Sequence, residues 1–110
     1  MKIDISGRHF KVTGPLQDYI DSKVQKLDKY SLKIESAHVV LEVQKFRYIA
    51  EITLRGKDLR LVAKDEDGEM YAAFDRCFGR AQLQLSRKHD RRRDHKGRRY
   101  TAAGAREKKV

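Results

Sequence analysis

The chain has 110 residues and a mass of 12.9 kDa, enough for one domain and too little for two of ordinary size. Apolar residues make up 39% and charged residues 38%, which predicts a modest core under a very polar surface. There is no run of 18 apolar residues, no apolar secretory segment after Met1 and only one cysteine. These features argue against a membrane span, a secretory signal and a disulfide framework. We expect a small, soluble, cytoplasmic protein.

The basic charge is concentrated towards the C-terminal end. Lys and Arg number 26 against 16 Asp and Glu, a formal net charge of +10. Residues 86–110 hold 11 of these cations and 3 of the acids, whereas residues 1–85 hold 15 and 13. A nearly neutral globular part followed by a cationic extension favours nucleic acid as the partner over a membrane or an acidic protein. The alternative is an extension that only improves solubility.

The first part of the chain predicts a strand and a helix. Ile3 and Ile5 alternate with polar residues, as in a short strand. Thr13 precedes Gly-Pro and predicts a helix start, because its hydroxyl can cap the first turn and proline is tolerated there. Apolar residues at helical spacing then continue to about residue 30. Residues 31–36 are predicted to form a connection.

Three strand-like segments follow. Apolar and polar residues alternate over residues 39–44, 48–54 and 59–64, the pattern of an antiparallel sheet with one face in water. The links at residues 45–47 and 56–57 are short enough for hairpins. With the first strand, these segments predict a four-stranded sheet.

A second helix is predicted to close the domain. The acidic residues 65–69 are predicted to open it, since negative side chains suit the positive end of the helix dipole. Its apolar stripe consists of Met70, Ala73, Phe74, Cys77, Phe78, Ala81 and Leu85. The helix is expected to run past residue 88. We therefore predict a domain over residues 1–95 and a disordered basic tail over residues 96–110.

The element order β-α-β-β-β-α predicts an α+β fold with a four-stranded sheet and two helices packed on one face. If the first two strands are parallel neighbours, the first helix is a right-handed crossover between them. Folds of this layout include double-stranded-RNA-binding domains, which read RNA through its shape and its phosphates.

The second helix carries a basic stripe beside its apolar one. Arg76, Arg80, Arg87 and Arg91 recur at helical spacing, and we expect no acidic partner on that stripe. Guanidinium groups suit bidentate phosphate contacts, so the stripe predicts an RNA contact. The alternative is an ordinary solvated helix flank.

The first helix carries three lysines spaced three residues apart: Lys23, Lys26 and Lys29. Lys23 falls within the apolar stripe, so its stem should lie along apolar surface with the ammonium group reaching out. Surface solvation alone would also explain this pattern. If the two helices pack side by side, their basic edges are expected to join into one patch.

The residues do not predict an active site. The four histidines show no metal-ligand spacing with Cys77 or with each other, and Cys77 lies on an apolar stripe, where a thiol behaves as a core residue. The acidic residues 65–69 are explained by the helix dipole rather than by Mg²⁺, and the glycines are too scattered for a phosphate-binding loop. We expect a non-enzymatic protein with no cofactor, no metal and no small-molecule substrate.

Two aromatic residues stand outside the core pattern and are candidates for stacking on unpaired bases. Phe46 lies in a predicted hairpin link, where we expect it to fold back onto its own domain. Tyr100 lies in the predicted tail, and the sequence favours neither stacking nor solvation there.

Four segments resemble one bacterial protein family. They are Ile-Ser-Gly-Arg-His at residues 5–9, Lys-Leu-Asp-Lys-Tyr at 26–30, His-Val-Val-Leu-Glu-Val at 38–43 and Met-Tyr-Ala-Ala-Phe-Asp at 70–75. Together they resemble the ribosome hibernation-promoting factors, a family that includes the ribosome-associated inhibitor A proteins and was once called sigma-54 modulation protein. The sextet from Met70 is the most specific of the four.

The resemblance implies a translation inhibitor of stationary phase and stress. Family members occupy the mRNA and tRNA channel of the small (30S) ribosomal subunit and contact 16S ribosomal RNA through basic residues of both helices. The positions matching that pattern are Lys23, Lys26, Lys29, Arg80, Arg87 and Lys88. Together with the spacing argument for Arg76 and Arg91 and with Arg92 beside them, these residues are our candidate RNA contacts.

The chain departs from the family at two positions of the second helix. Leu83 stands where the family commonly has a basic residue, and Cys77 replaces an aliphatic one. Long members carry a second domain that pairs ribosomes, and this chain resembles the short class. We expect a monomer off the ribosome. The alternative function is a free-standing RNA-binding regulator that acts on messenger or on transcription.

Overall fold

The computed structural model of the protein describes residues 1–30 and 33–97, with side chains through residue 90. The elements are β1 (Lys2–Arg8), α1 (Gly14–Gln25), a 3₁₀ helix (Lys26–Tyr30), β2 (Ile34–Gln44), β3 (Arg47–Gly56), β4 (Leu59–Asp67) and α2 (Met70–Gly97). This order confirms the predicted β-α-β-β-β-α fold.

The four strands form one mixed sheet in the order β1-β2-β3-β4. β1 runs parallel to β2, with Ile3 opposite Ala37, and the other neighbours are antiparallel. Because parallel neighbours need a crossover connection, α1 has to return the chain across the sheet between β1 and β2. The condition under which the sequence predicted a crossover helix, a parallel first pair of strands, is therefore met.

α1 begins at the predicted cap. The Thr13 hydroxyl accepts the Leu16 backbone N–H at 3.3 Å, and Pro15 lies in the first turn, where its missing N–H costs nothing. The regular helix ends at Gln25, earlier than predicted, and continues as the 3₁₀ turn. That turn keeps Leu27 fully buried, which explains why apolar spacing continues to about residue 30.

β2 also begins earlier than predicted. Ile34, assigned from the sequence to a connection, is a buried residue of β2 opposite Gly56. A register irregularity between Ile34 and Ser36 interrupts the alternation there, so the pattern in the sequence does not reveal the start of this strand.

The prediction that residues 65–69 open the second helix is wrong for most of that segment. Residues 65–67 belong to β4, where Asp65 pairs with Ala50 and Asp67 with Tyr48. Only Glu69 acts at the helix start, because its Oε1 atom accepts the backbone N–H groups of Tyr71 at 2.6 Å and Ala72 at 3.2 Å. The strand continues because its alternation is intact, and the helix begins one residue after its acidic cap.

α2 extends through Gly97, so the predicted domain boundary at residue 95 falls within it. Lys96 and Gly97, which the sequence assigned to the tail, are helical. The remainder of the predicted disordered tail, residues 98–110, lies outside the described residues.

Both helices pack on one face of the sheet around a single core. Ile20 of α1, Ile52 of β3 and Phe74 of α2 are fully buried in it. Cys77 is buried in the same cluster and donates to the Ala63 carbonyl at 3.2 Å. Burial raises the pKa of the Cys77 thiol to about 12, so it is a neutral core residue at physiological pH, as the sequence predicted.

Candidate RNA-binding surface

Two of the predicted arginines converge on one carboxylate of the sheet. The Asp65 Oδ2 atom lies 2.8 Å from Arg80 Nε and 3.5 Å from Arg76 Nε. We call Arg76 and Arg80 the arginine pair. The Arg80 guanidinium and the Glu66 backbone N–H, which both donate to Asp65, hold the pKa of its carboxyl below its usual range.

The expectation that this stripe has no acidic partner is therefore wrong. Asp65 follows Leu59, Leu61 and Ala63 at every second position of β4, so it points to the face of the sheet that α2 covers. The two arginine side chains nevertheless remain 57% and 61% exposed. They carry one positive charge more than Asp65 neutralises.

The next turns of α2 continue the outer stripe. Arg87 is exposed, and Leu83 lies between it and Arg80 with 52% of its surface in water. Lys88 is only half-buried and adjoins the same end of the helix. Arg91 and Arg92 belong to the helical backbone of α2, and their side chains lie outside the described part of the structure.

Lys23 contributes to packing between the two helices. Its Nζ atom lies 3.8 Å from Asp75 Oδ1 and 5.3 Å and 5.6 Å from the ring centres of Tyr19 and Phe78. The stem therefore follows apolar surface, as the sequence predicted, but the ammonium group faces an acidic partner on α2. Sequence spacing did not reveal Asp75, because it lies 52 positions further along the chain.

The other two predicted lysines are freely exposed. Lys26 and Lys29 lie on the 3₁₀ turn, and Lys29 Nζ is 5.3 Å from the Tyr30 ring centre. Tyr30 in turn contacts His89 of α2 edge-on, with ring centres 6.3 Å apart. These contacts place the end of the 3₁₀ turn beside the later turns of α2.

The basic residues of α1 and α2 lie on opposite flanks of α2. The flank towards α1 carries Asp75, whose Oδ1 atom accepts the Tyr19 hydroxyl, and the flank towards β4 carries Arg80. Five residues separate Asp75 from Arg80, or about 140° around the helix axis. The helices do pack side by side, as the expectation of a joint patch required, but the groove between them contains Asp75. A basic patch shared by the two helices therefore has to run over the outer face of α2.

Phe46 does not fold back onto the domain. It lies at the tip of the β2–β3 hairpin and is 90% exposed, so the expectation from the sequence is wrong. Lys45 beside it has a φ of 55°, a left-handed conformation that closes this tight turn. Tyr100, the other candidate for stacking, lies outside the described residues.

The opposite face of the sheet has mixed charge. It carries Arg55 and Arg60 as a cross-strand pair, and Glu51 opposite Lys64. Within residues 1–30 and 33–97 no helix is apolar and long enough to cross a membrane. The described side chains also contain no cluster of three or more His, Cys, Asp or Glu residues suited to a metal ion.

Comparisons with known proteins place this fold in one family. The family model described as "Sigma 54 modulation protein / S30EA ribosomal protein" matches residues 3–93. A "Ribosome hibernation promoting factor" of Salmonella typhimurium is 32% identical over 95 residues, which are 86% of this chain and 100% of the relative. The protein of the same name from Pseudomonas putida is 34% identical over 87 residues, or 79% of this chain and 85% of that one.

Two solved structures have a fold similar to that of this chain. The "Protein Y N-terminal domain" of Thermus thermophilus aligns with a TM-score of 0.72 at 32% identity and covers 79% of this chain and 98% of its own. A "ribosomal subunit interface protein" of Coxiella burnetii has a TM-score of 0.75 at 19% identity over 80% of this chain and 97% of its own, which supports the fold. The family is not one of enzymes, which agrees with the expectation from the residues. The chain belongs to the sigma 54 modulation protein / S30EA ribosomal protein family.

Proposed function

We propose that this protein is a cytoplasmic ribosome hibernation factor that inhibits translation by occupying the mRNA and tRNA channel of the small ribosomal subunit. The observation that carries the proposal is the alignment of this chain with the whole length of a relative named for ribosome hibernation. Family membership supports the ribosome as partner, and the resemblance of the four sequence segments supports the channel and 16S ribosomal RNA as the finer target.

The charges of the described residues fit an RNA partner. The outer face of α2 presents the exposed side chains of Arg76, Arg80 and Arg87, and the 3₁₀ turn presents Lys26 and Lys29. Guanidinium groups fixed on a packed helix suit phosphates, because each forms two parallel charge-assisted hydrogen bonds. We assign the main phosphate contacts to these five residues.

The remaining candidates have secondary roles. Lys23 already contacts Asp75, so it contributes mainly by orienting α1 against α2. Lys88 and the arginines at positions 91 and 92 add positive charge along the last turns of α2. Residues 98–110 add five Lys or Arg residues against one acid and supply a further, sequence-independent attraction to RNA.

In this proposal, inhibition of translation requires no catalysed reaction. Phosphate contacts supply the affinity, and the volume of the folded domain excludes messenger and tRNA from the same channel. In this scheme the protein acts as a monomer, and hibernation under stress or in stationary phase follows from the number of ribosomes that carry it.

Co-sedimentation tests the proposal. The protein is incubated with purified small subunits, purified large subunits or free duplex RNA at physiological salt, and the pelleted or retarded fraction is measured. We expect binding to small subunits to saturate at one protein per subunit, and binding to large subunits and to free duplex RNA to be weak. Binding to small subunits should be lost when messenger and tRNA already occupy the channel.

Two results distinguish the alternative function. Equal affinity for free duplex RNA and for small subunits would support a free-standing RNA-binding regulator. Binding to small subunits that persists unchanged beside bound messenger and tRNA would reject the channel as the site, although it would leave ribosome association intact.

A further inference from the structure

Asp65 is the point at which the sheet meets the arginine pair. Its side chain is only 13% exposed, whereas the arginine side chains above it are 57% and 61% exposed. Its Oδ1 atom accepts the backbone N–H of Glu66 at 2.8 Å, and its backbone pairs with Ala50 in the β3–β4 ladder. The carboxylate is thus fixed on a rigid strand, beneath two cations that reach into water.

Both arginines use the same inner atom for this contact. Arg80 Nε lies 2.8 Å and Arg76 Nε 3.5 Å from Asp65 Oδ2. The Arg80 contact is a hydrogen bond through Nε, and the Arg76 contact is an ion pair through the same atom. Because a guanidinium carries five N–H donors in a planar fork, an arginine held through Nε keeps its four outer donors for a phosphate.

An arginine side chain that is already held in place by the protein contributes more to the affinity for a phosphate than a free one. A long side chain that is free in solution loses rotamer freedom when a partner immobilises it. An arginine that is already held against a strand loses less. The carboxylate lies behind the guanidinium groups, so an approaching phosphate meets the outer nitrogens first, and the two positive charges stand between it and Asp65.

We propose that Asp65 is a positioning residue for RNA binding, which holds Arg76 and Arg80 in the arrangement that contacts phosphate. The inference rests on the proposed function, because it requires the arginine pair to face RNA. The opposite role is an electrostatic brake, in which the carboxylate competes with phosphate for the same arginines. The two roles predict effects of opposite sign.

Substitution of Asp65 separates them. Asp65→Ala and Asp65→Asn each raise the net charge by one, and so does the control Glu35→Gln, at an exposed position of β2 that makes no hydrogen bond or ion pair among the described residues. Net charge alone predicts slightly tighter binding for all three. If Asp65 positions the pair, Asp65→Ala binds small subunits about 3-fold to 10-fold more weakly, whereas Glu35→Gln binds at least as tightly as the parent.

A double-mutant cycle excludes a merely structural role. In the background Arg76→Gln with Arg80→Gln, the effect of Asp65→Ala on affinity should disappear, because the residues it positions are gone. Circular dichroism and melting curves confirm that each variant is folded, and Asp65→Asn, which retains an acceptor oxygen and the shape of the side chain, provides a second variant if Asp65→Ala unfolds.

The outcomes are distinguishable from failure of the proposed function. If Arg76→Gln with Arg80→Gln binds small subunits like the parent, the pair does not face RNA, and both the assignment of that contact and the role of Asp65 are overturned. If the pair proves necessary while the Asp65 variants bind as tightly as Glu35→Gln, or more tightly than the parent, only the positioning role is overturned.

Discussion

The Tyr19 hydroxyl donates a 2.6 Å hydrogen bond to Asp75 Oδ1 and so joins α1 to α2 across the surface of the core. Lys23 approaches the same carboxylate oxygen at 3.8 Å, and the Tyr19 ring lies edge-on to those of Tyr71 and Phe74. This small network links the two helices at the surface, above the core that both of them share.

Tyr19→Phe removes that hydrogen bond and keeps the ring. We expect a loss of about 1 kcal/mol in unfolding free energy, or ~5 °C in melting temperature. The hydrogen bond to Asp75 raises the pKa of Tyr19, so this stabilisation is present below the ordinary tyrosine pKa and is lost as pH rises through the raised value. The difference in melting temperature from the parent should therefore narrow in strong alkali. Tyr71→Phe, which removes a hydroxyl that makes no hydrogen bond within the described part of the chain, is the control and should cost little.

Cys77 should be inert in the native protein. Its side chain is fully buried, and burial raises the pKa of its thiol to about 12, so thiolate is scarce at neutral pH. A thiol-specific reagent such as a coloured aromatic disulfide should label Cys77 only as fast as the domain unfolds. The labelling rate should rise with urea in parallel with the unfolding that circular dichroism measures. Rapid stoichiometric labelling without denaturant would contradict the placement of Cys77 in the core.

The stabilising contribution of Asp65 should depend on pH. The Arg80 contact lowers the pKa of Asp65, so the contribution is present above the ordinary aspartate pKa of about 4 and is lost as pH falls through the lowered value. Because its partners are exposed, we expect no more than about 1 kcal/mol. Melting of the parent and of Asp65→Asn should differ at pH 7 and converge in acid, whereas Glu35→Gln should follow the parent at both pH values.

Leu83→Arg fills the interruption in the basic stripe. Leu83 is 52% exposed between Arg80 and Arg87, so the substitution costs little core packing, and repulsion from neighbouring arginines costs about 0.2–0.5 kcal/mol each. Binding to small subunits should tighten, and the slope of log affinity against log salt should steepen by about 0.7 to 0.9. Val62→Arg adds the same charge on the opposite face of the sheet and should change both quantities much less. A sharp drop in melting temperature for Leu83→Arg would show that Leu83 packs in the core.

Local signals predicted the fold well because each element carries its own pattern. The hydroxyl of Thr13 before Gly-Pro marked the start of α1, and period-two alternation marked the last three strands. The failure at Asp65 came from a conflict between two such signals. Its alternation with Ala63 indicated a strand, while its acidic neighbours indicated the start of a helix, and the strand pairing with β3 decided the outcome.

The candidate site was predicted in part, for a different reason. Helical spacing correctly placed Arg76, Arg80 and Arg87 on an exposed stripe. The carboxylates that contact the basic side chains could not be found in this way, because Asp75 reaches Lys23 only through packing of α1 against α2. The contact of Asp65 with α2 could have been predicted from the sequence. Asp65 is in phase with the buried positions of β4, so its side chain has to face α2.

The central claim is that the outer face of α2 binds the phosphates of the small subunit, and the salt dependence of binding tests it most directly. Affinity for purified small subunits is measured between low and physiological salt for the parent, for Arg76→Gln with Arg80→Gln, and for Arg55→Gln with Arg60→Gln. The two variants lose the same charge from opposite faces of the sheet. The account predicts that the α2 variant loses about 1.4 to 1.8 from the salt slope and binds at least ~10-fold more weakly, with the sheet variant close to the parent. Equal losses in the two variants, or a flat salt dependence in the parent, would contradict it.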